Sequence, residues 1–241
     1  MKDVDLIFLN DCSNDRLKLL ADAIVYDNDG KKRSTEELSK TFSYGQNYPN
    51  NLPALVPNMV DELQRFGGNT IINGLRGHGV YYREILEDVC KTLKVNYNKK
   101  SSTELIESYL LHSLLTKTVD KMTEDDVKEL GTDLSKFELK NHIELLKAGS
   151  PLFIKLTTII VMQLGAKFAQ SQALAFAAKM AGGRVFAVLA GPIGWILSGL
   201  WAAFDLVGPA FRVTTPCVII IAYLRMLENK SEEDLEDIFN K

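Results

Sequence analysis

LFIKLTTIIVMQLGAKFAQSQALAFAAKM, Leu152 to Met180, is the stretch on which the fold class turns. Apolar and small residues occupy several faces, and its charges are Lys155, Lys167 and Lys179, spaced twelve residues apart. No period-two alternation and no Asn-Gly or Asp-Gly hairpin turn marks it as strand. Pro151 stands where a helix tolerates proline, in the first turn. The same texture continues in VFAVLAGPIGWILSGLWAAF, Val185 to Phe204, twenty residues without a charge. Asp205, a Gly-Pro break, Arg212 and the apolar run VTTPCVIIIAYL follow.

Two readings of residues 151–226 are open. In one, they form the core of a helical bundle, with Ala173, Ala175, Ala177, Ala178 and Ala181 permitting close helix contact. In the other, they meet a membrane. A span needs about 20 apolar residues. Ala187 with Gly191, Ala190 with Gly194, and Ser198 with Ala202 have the small-xxx-small spacing that favours helix contact in lipid. Trp195 and Trp201 suit an interface. Six basic side chains, Arg212 among them, stand against Asp205 alone, a net of +5 that suits an anionic leaflet. Pro192 and the Gly191/Gly194 pair divide the uncharged run, which fits a buried hairpin or reversible insertion better than a permanent anchor.

Outward from this region the chain also reads as helix. Ser34 with Glu37 and Ser101 with Glu104 have capping-box spacing. Pro57 fits the first turn of a helix carrying MVDELQRF, which Gly67 ends. LKLLADAIVY runs into a turn at Asp29-Gly30. ENKSEEDLEDIFNK is an acidic helix capped by Ser231. The expectation is an all-α protein: an N-terminal helical module over 1–43, a linker over 44–53 (YGQNYPNNLP), a helical domain over 54–150, the apolar region 151–226 and an acidic tail over 227–241.

One other stretch suggests chemistry. LRGHG, Leu75 to Gly79, precedes a helical stripe with apolar residues at 80, 85, 86, 89 and 93. A glycine corner before a helix offers backbone N–H groups and the positive dipole end to an anion. Arg76 and Arg83 add charge, Gly77 and Gly79 close approach, and His78 a proton. The competing reading is a tight corner with a structural ion pair. The glycine order matches neither nucleotide-binding pattern.

The whole chain has 241 residues and a net charge of −3, which argues against non-specific nucleic-acid binding. Cys12, Cys90 and Cys217 lie far apart among apolar residues, with no metal-ligand spacing and no disulfide framework. His112 and His142 each stand alone on a helical pattern. No motif calls for a metal or a cofactor, and no catalytic constellation emerges. MKDVDLIFLNDCS does not read as a signal peptide, so a cytoplasmic protein is expected.

LQRFGGNTIINGLRGHGVYYREILEDVCKTLKV and FRVTTPCVIIIAYLR together resemble the YaaW-like family of uncharacterised bacterial proteins. That family is loosely grouped with the ubiquinol–cytochrome c chaperone family. Tyr82, Ile85, Leu86, Asp88 and Val89 carry the first segment. Arg212, Val213, Thr214, Pro216, Ile221, Ala222, Leu224 and Arg225 carry the second. The N-terminal LIFLNDCSNDRLKLLADAIVYDNDGKKRSTEELSKT looks like a helical module that often precedes it. The resemblance implies a bacterial helical protein and names no catalytic residue. The expected role is a non-enzymatic accessory or assembly factor, chaperone-like, that binds an apolar protein partner or an anionic membrane surface, with Trp195, Trp201 and Arg212 in contact. The alternatives are a protein binding a phosphorylated or acidic small molecule at Arg76–Gly79 with Arg83, and an integral membrane protein. Self-association stays open.

Overall fold

The computed structural model describes residues 3–68, 79–129, 138, 147–168, 199, 208, 210–228 and 230–240. These are helical, with no strand among them. A lone antiparallel bridge between Tyr26 and Lys32 closes the expected turn at Gly30. A 3₁₀ helix, Val4–Asp11, leads into α1, Asn14–Val25. Then come α2, Phe42–Asn47, and α3, Val56–Gly67, with Pro57 in its first turn. α4 is Tyr82–Thr92, α5 Thr103–Lys121 and α6 Glu124–Glu129. α7, Pro151–Phe168, α8, Phe211–Met226, and α9, Glu232–Asn240, complete the described elements.

α8 is the axis of the core. Every residue from Val213 to Leu224 is buried. Its neighbours are α1, α3, α4, α5 and α7. A helix apolar on all sides needs neighbours all round, and here it has them. α7 is long and apolar enough to cross a membrane, with a mean hydropathy of 1.3. Yet 78% of it is buried inside the protein, against α1, α5, α8 and α9. The apolar surface of these two helices is therefore taken up by other helices. Val185 to Phe204, Gly199 apart, lies outside the described residues.

Pro216 sits inside α8. Proline has no N–H, so the carbonyl four residues earlier loses its intrahelical donor. That carbonyl belongs to Arg212, and Arg33 Nη2 donates to it at 3.3 Å. At the other end, Arg16 donates to the carbonyls of Leu227 (3.1 Å) and Lys230 (2.6 Å). Carbonyls at a helix C-terminus lack intrahelical donors and carry the negative end of the dipole, so a guanidinium suits them. Arginines from the first 33 residues thus hold both ends of a helix near the end of the chain.

Residues 44–53, expected to form a linker, lie along α1. Asn14 donates to the Pro49 carbonyl at 2.8 Å and accepts from the Leu52 amide at 2.8 Å. Lys18 donates to Asp22 at 2.7 Å and to the Tyr48 hydroxyl at 2.9 Å. The Tyr48 hydroxyl donates to Asp22 at 2.9 Å, and its ring stacks on Tyr44 with centroids 4.6 Å apart. Burial pushes the Asp22 carboxyl up, with Lys18 and Tyr48 working against it.

The helix starts depart from expectation in detail. Ser102, one residue after the serine expected, accepts from the Leu105 amide at 3.3 Å and caps α5. Ser34 opens no α-helix; Glu37 instead precedes the short 3₁₀ turn Leu38–Lys40. Ser231 does cap α9, accepting from the Asp234 amide at 3.1 Å while Asp234 accepts from Ser231 in return.

Candidate functional site

α4 begins without a cap of its own, because Tyr81 offers no side-chain acceptor at its start. Asp3 supplies one from the far end of the sequence. Its Oδ2 accepts from the Tyr82 amide at 2.7 Å and from Gln64 Nε2 at 2.8 Å. Its Oδ1 accepts from the Asp5 amide at 3.2 Å, so one buried carboxylate caps two helices. A negative group at a helix N-terminus is favourable, and at α4 that group is the protein's own.

The glycines nearby serve close approach. A Cβ on Gly79 would lie 2.4 Å from the Gln64 carbonyl, and one on Gly67 would lie 2.5 Å from the Ile85 side chain. The Val80 amide donates to the Gln64 carbonyl at 3.2 Å. α4 therefore starts pressed against the backbone of α3, which a side chain at 79 would prevent. Arg83 uses its guanidinium on Glu87 (2.8 Å) and on the carbonyls of Ser101 (2.9 Å) and Lys99 (3.0 Å). It braces the turn between α4 and α5. Arg76, Gly77 and His78 lie outside the described residues, as do Trp195 and Trp201. Arg212 is exposed at the start of α8.

The most concentrated buried chemistry lies elsewhere. Glu107, on the inner face of α5, accepts from the Tyr82 hydroxyl at 2.6 Å and from Arg225 Nε at 2.6 Å, one on each oxygen. Arg225 Nη2 also donates to the Asp5 carbonyl, and the guanidinium lies 4.0 Å from the centre of the Phe8 ring. Four elements meet here: the N-terminal 3₁₀ helix, α4, α5 and α8. Burial pushes the Glu107 carboxyl up to about 6, and Arg225 and Tyr82 pull it part of the way back. Burial works against the charge of Arg225, but the Glu107 carboxylate outweighs it and holds the guanidinium charged. Burial, then Glu107, raises the Tyr82 hydroxyl well above its ordinary range.

This network borders a cleft of about 480 Å³ between α5, the turn at 148–149, the start of α7 and the end of α8. Glu104, Glu107, Arg225 and Glu228 line it together with Leu111, Phe153, Ala222 and Met226. A carboxyl near neutrality beside an opening has the electrostatics of a ligand or proton site, although both Glu107 oxygens are held by neighbours. The thiols offer no nucleophile: burial raises Cys12 to about 11, and Cys90 and Cys217 to about 12. Among the described residues no group of three or more His, Cys, Asp or Glu could hold a metal ion.

Sequence reading missed Glu107 and Asp3 as organising residues. The legible signal for Glu107 was a carboxylate on the apolar stripe Ile106, Leu110, Leu111, Leu114. Nothing local marked Asp3 as the cap of α4, since its partners there and on α3 lie 79 and 61 residues away. Tyr82 and Arg225, from the two segments that carried the resemblance, converge on Glu107.

A family model described as a domain of unknown function (DUF3944) matches residues 1–34, the segment that supplies Asp3, Arg16 and Arg33. A UPF0174 protein of Helicobacter pylori strain J99 is 34% identical over 98% of this chain and 96% of its own length. The UPF0174 protein YaaW of Escherichia coli K12 is 34% identical over 96% of this chain and 98% of its own. No solved structure matches. The chain belongs to the UPF0174 family.

Proposed function

We propose that this UPF0174 protein is a non-enzymatic helical factor whose apolar stretch between α7 and α8 engages an anionic membrane surface from the cytoplasmic side, in an accessory or assembly role. The observation that carries the reading is a contrast. α7 and α8 have their apolar surface committed to the core. The chain joining them adds Val185 to Phe204, twenty uncharged residues with Trp195 and Trp201. The mechanism is differential burial. At ~25 cal/mol per Å², a few hundred Å² of apolar surface moved from water into lipid contributes several kcal/mol. Basic residues near an anionic leaflet add about 1 kcal/mol each; Lys167, Lys179, Arg184 and Arg212 supply four such charges against Asp205, while Lys155 is buried and Arg225 is paired with Glu107.

Sedimentation with vesicles of phosphatidylglycerol and phosphatidylethanolamine at low salt tests this. The protein is expected in the pellet, less so at high salt, and less so for the Trp195→Ala/Trp201→Ala double variant. Protein that stays in the supernatant with such vesicles refutes the lipid version and leaves an apolar protein partner as the occupant.

A further inference from the structure

The start of α8 is where the apolar stretch rejoins the fold. Arg212 is exposed in the first turn there. Arg33 reaches in from the N-terminal segment and donates to the Arg212 carbonyl at 3.3 Å. That bond holds the turn at 27–33 against this end of the helix. The turn is braced from within: the Asp27 carboxylate accepts from the Asp29 amide at 3.0 Å and the Lys31 amide at 2.9 Å, and the Arg33 amide donates to the Val25 carbonyl at 2.9 Å. Lys31 and Lys32 stand exposed on it. Four cationic residues, Lys31, Lys32, Arg33 and Arg212, thus meet beside the point where the apolar stretch returns, with Asp27 and Asp29 the acids of the same turn.

α1 shows which end of the molecule this is. Arg16, at its start, donates to carbonyls beyond the end of α8, whereas Arg33, beyond its end, donates to a carbonyl at the start of α8. The two helices therefore run antiparallel. At the opposite end of α8, Glu104 and Glu228 border the cleft, Arg225 is paired with Glu107, and the acidic α9 follows. An anionic leaflet attracts lysine and arginine side chains held at its surface.

We propose that the turn at 27–33 and the start of α8 form the face that lies against an anionic leaflet, with Lys31, Lys32 and Arg212 at the headgroups and the Glu104–Glu228 end turned away. This orientation rests on the membrane reading of residues 185–204 and adds the folded body to it.

The test is a lipid titration of the full chain with phosphatidylglycerol and phosphatidylethanolamine vesicles at about 0.1 M salt, where surface charges act over about 10 Å. Lys31→Gln/Lys32→Gln should partition about tenfold more weakly than wild type. Lys99→Gln/Lys100→Gln removes the same charge from exposed positions just before α5, on the side of Glu104, and should match wild type. A fluorophore on Lys32→Cys should shift its emission on vesicles and one on Lys100→Cys should not, the native thiols being buried. Equal losses in the two double variants, no loss in the first, or a shift at position 100 alone overturns the orientation and leaves the membrane reading standing. Wild-type protein that ignores the vesicles at every salt concentration removes both.

Discussion

α7 and α8 look alike as sequence: 18 and 16 residues, apolar on most faces, each with a proline and few charges. The structure separates them. α8 is pinned by directed bonds, from Arg33 near its start, from Arg16 beyond its end and through its own Arg225 to Glu107. Among the described residues no arginine pins α7; it packs against α1, α5, α8 and α9 and buries Thr157 Oγ1 and Gln163 Nε2 without hydrogen-bond partners, as α8 does Thr215 Oγ1. Hydropathy measures how much apolar surface a helix owns. It does not say what covers that surface or what fixes the helix in register. Non-directional burial can slide, whereas a guanidinium on one carbonyl or carboxylate cannot.

The comparison breaks most visibly at Arg225. Arg225→Ala leaves Glu107 buried without its cation, so a loss of about 3–5 kcal/mol is expected. Urea unfolding measures it, and a loss under about 1 kcal/mol means that the Arg225–Glu107 pair adds little to the packing of α8. Next comes Arg16→Ala, which strips two charged hydrogen bonds from the end of α8. About 1.5–3 kcal/mol should be lost, read as a lowered melting temperature. No change would mean that water serves those carbonyls equally well.

The pH dependence of the pin has a definite sign. Glu107 titrates at about 6 in the folded protein against an ordinary value of 4.5. Between those values the folded state binds a proton that the unfolded chain does not. The stability contribution of this group therefore rises as pH falls through 6 and levels off below 4.5, by at most about 2 kcal/mol. Measured from pH 7.5 to 4.5, wild type should gain on Glu107→Gln. A constant difference between the two would remove Glu107 as the titrating group. The smallest effect belongs to α7. Gln163→Met removes a buried unsatisfied donor and should stabilise by about 1 kcal/mol. A loss of similar size would show that the amide is bonded after all.

Much of the architecture was legible. Pro57, Gly67, Pro151 and Ser231 sit at helix boundaries because their chemistry is local: a missing N–H, an absent Cβ, a hydroxyl acceptor. Close approach was the reading given for Gly79, and a Cβ there would meet the Gln64 carbonyl at 2.4 Å. What the sequence did not reveal was that the start of α4 already holds a carboxylate, because Asp3 is 79 residues from the amide that it accepts. Arg83 was attractive as an anion ligand although Glu87 stands at i,i+4 ion-pair spacing; what spacing did not announce was that the carbonyls of Lys99 and Ser101 take the rest of its guanidinium.

From sequence alone the all-α class follows, with its helix termini and the exceptional apolar content after Pro151, because propensity, capping and periodicity act within a few residues. Only the tertiary structure decided that α8 is the axis, that residues from the first 33 grip both its ends, and that Tyr82, Glu107 and Arg225 form one buried network beside a cleft. Such pairings join positions as far as 211 and 214 residues apart, and they arise only where helices bring a donor and its acceptor together.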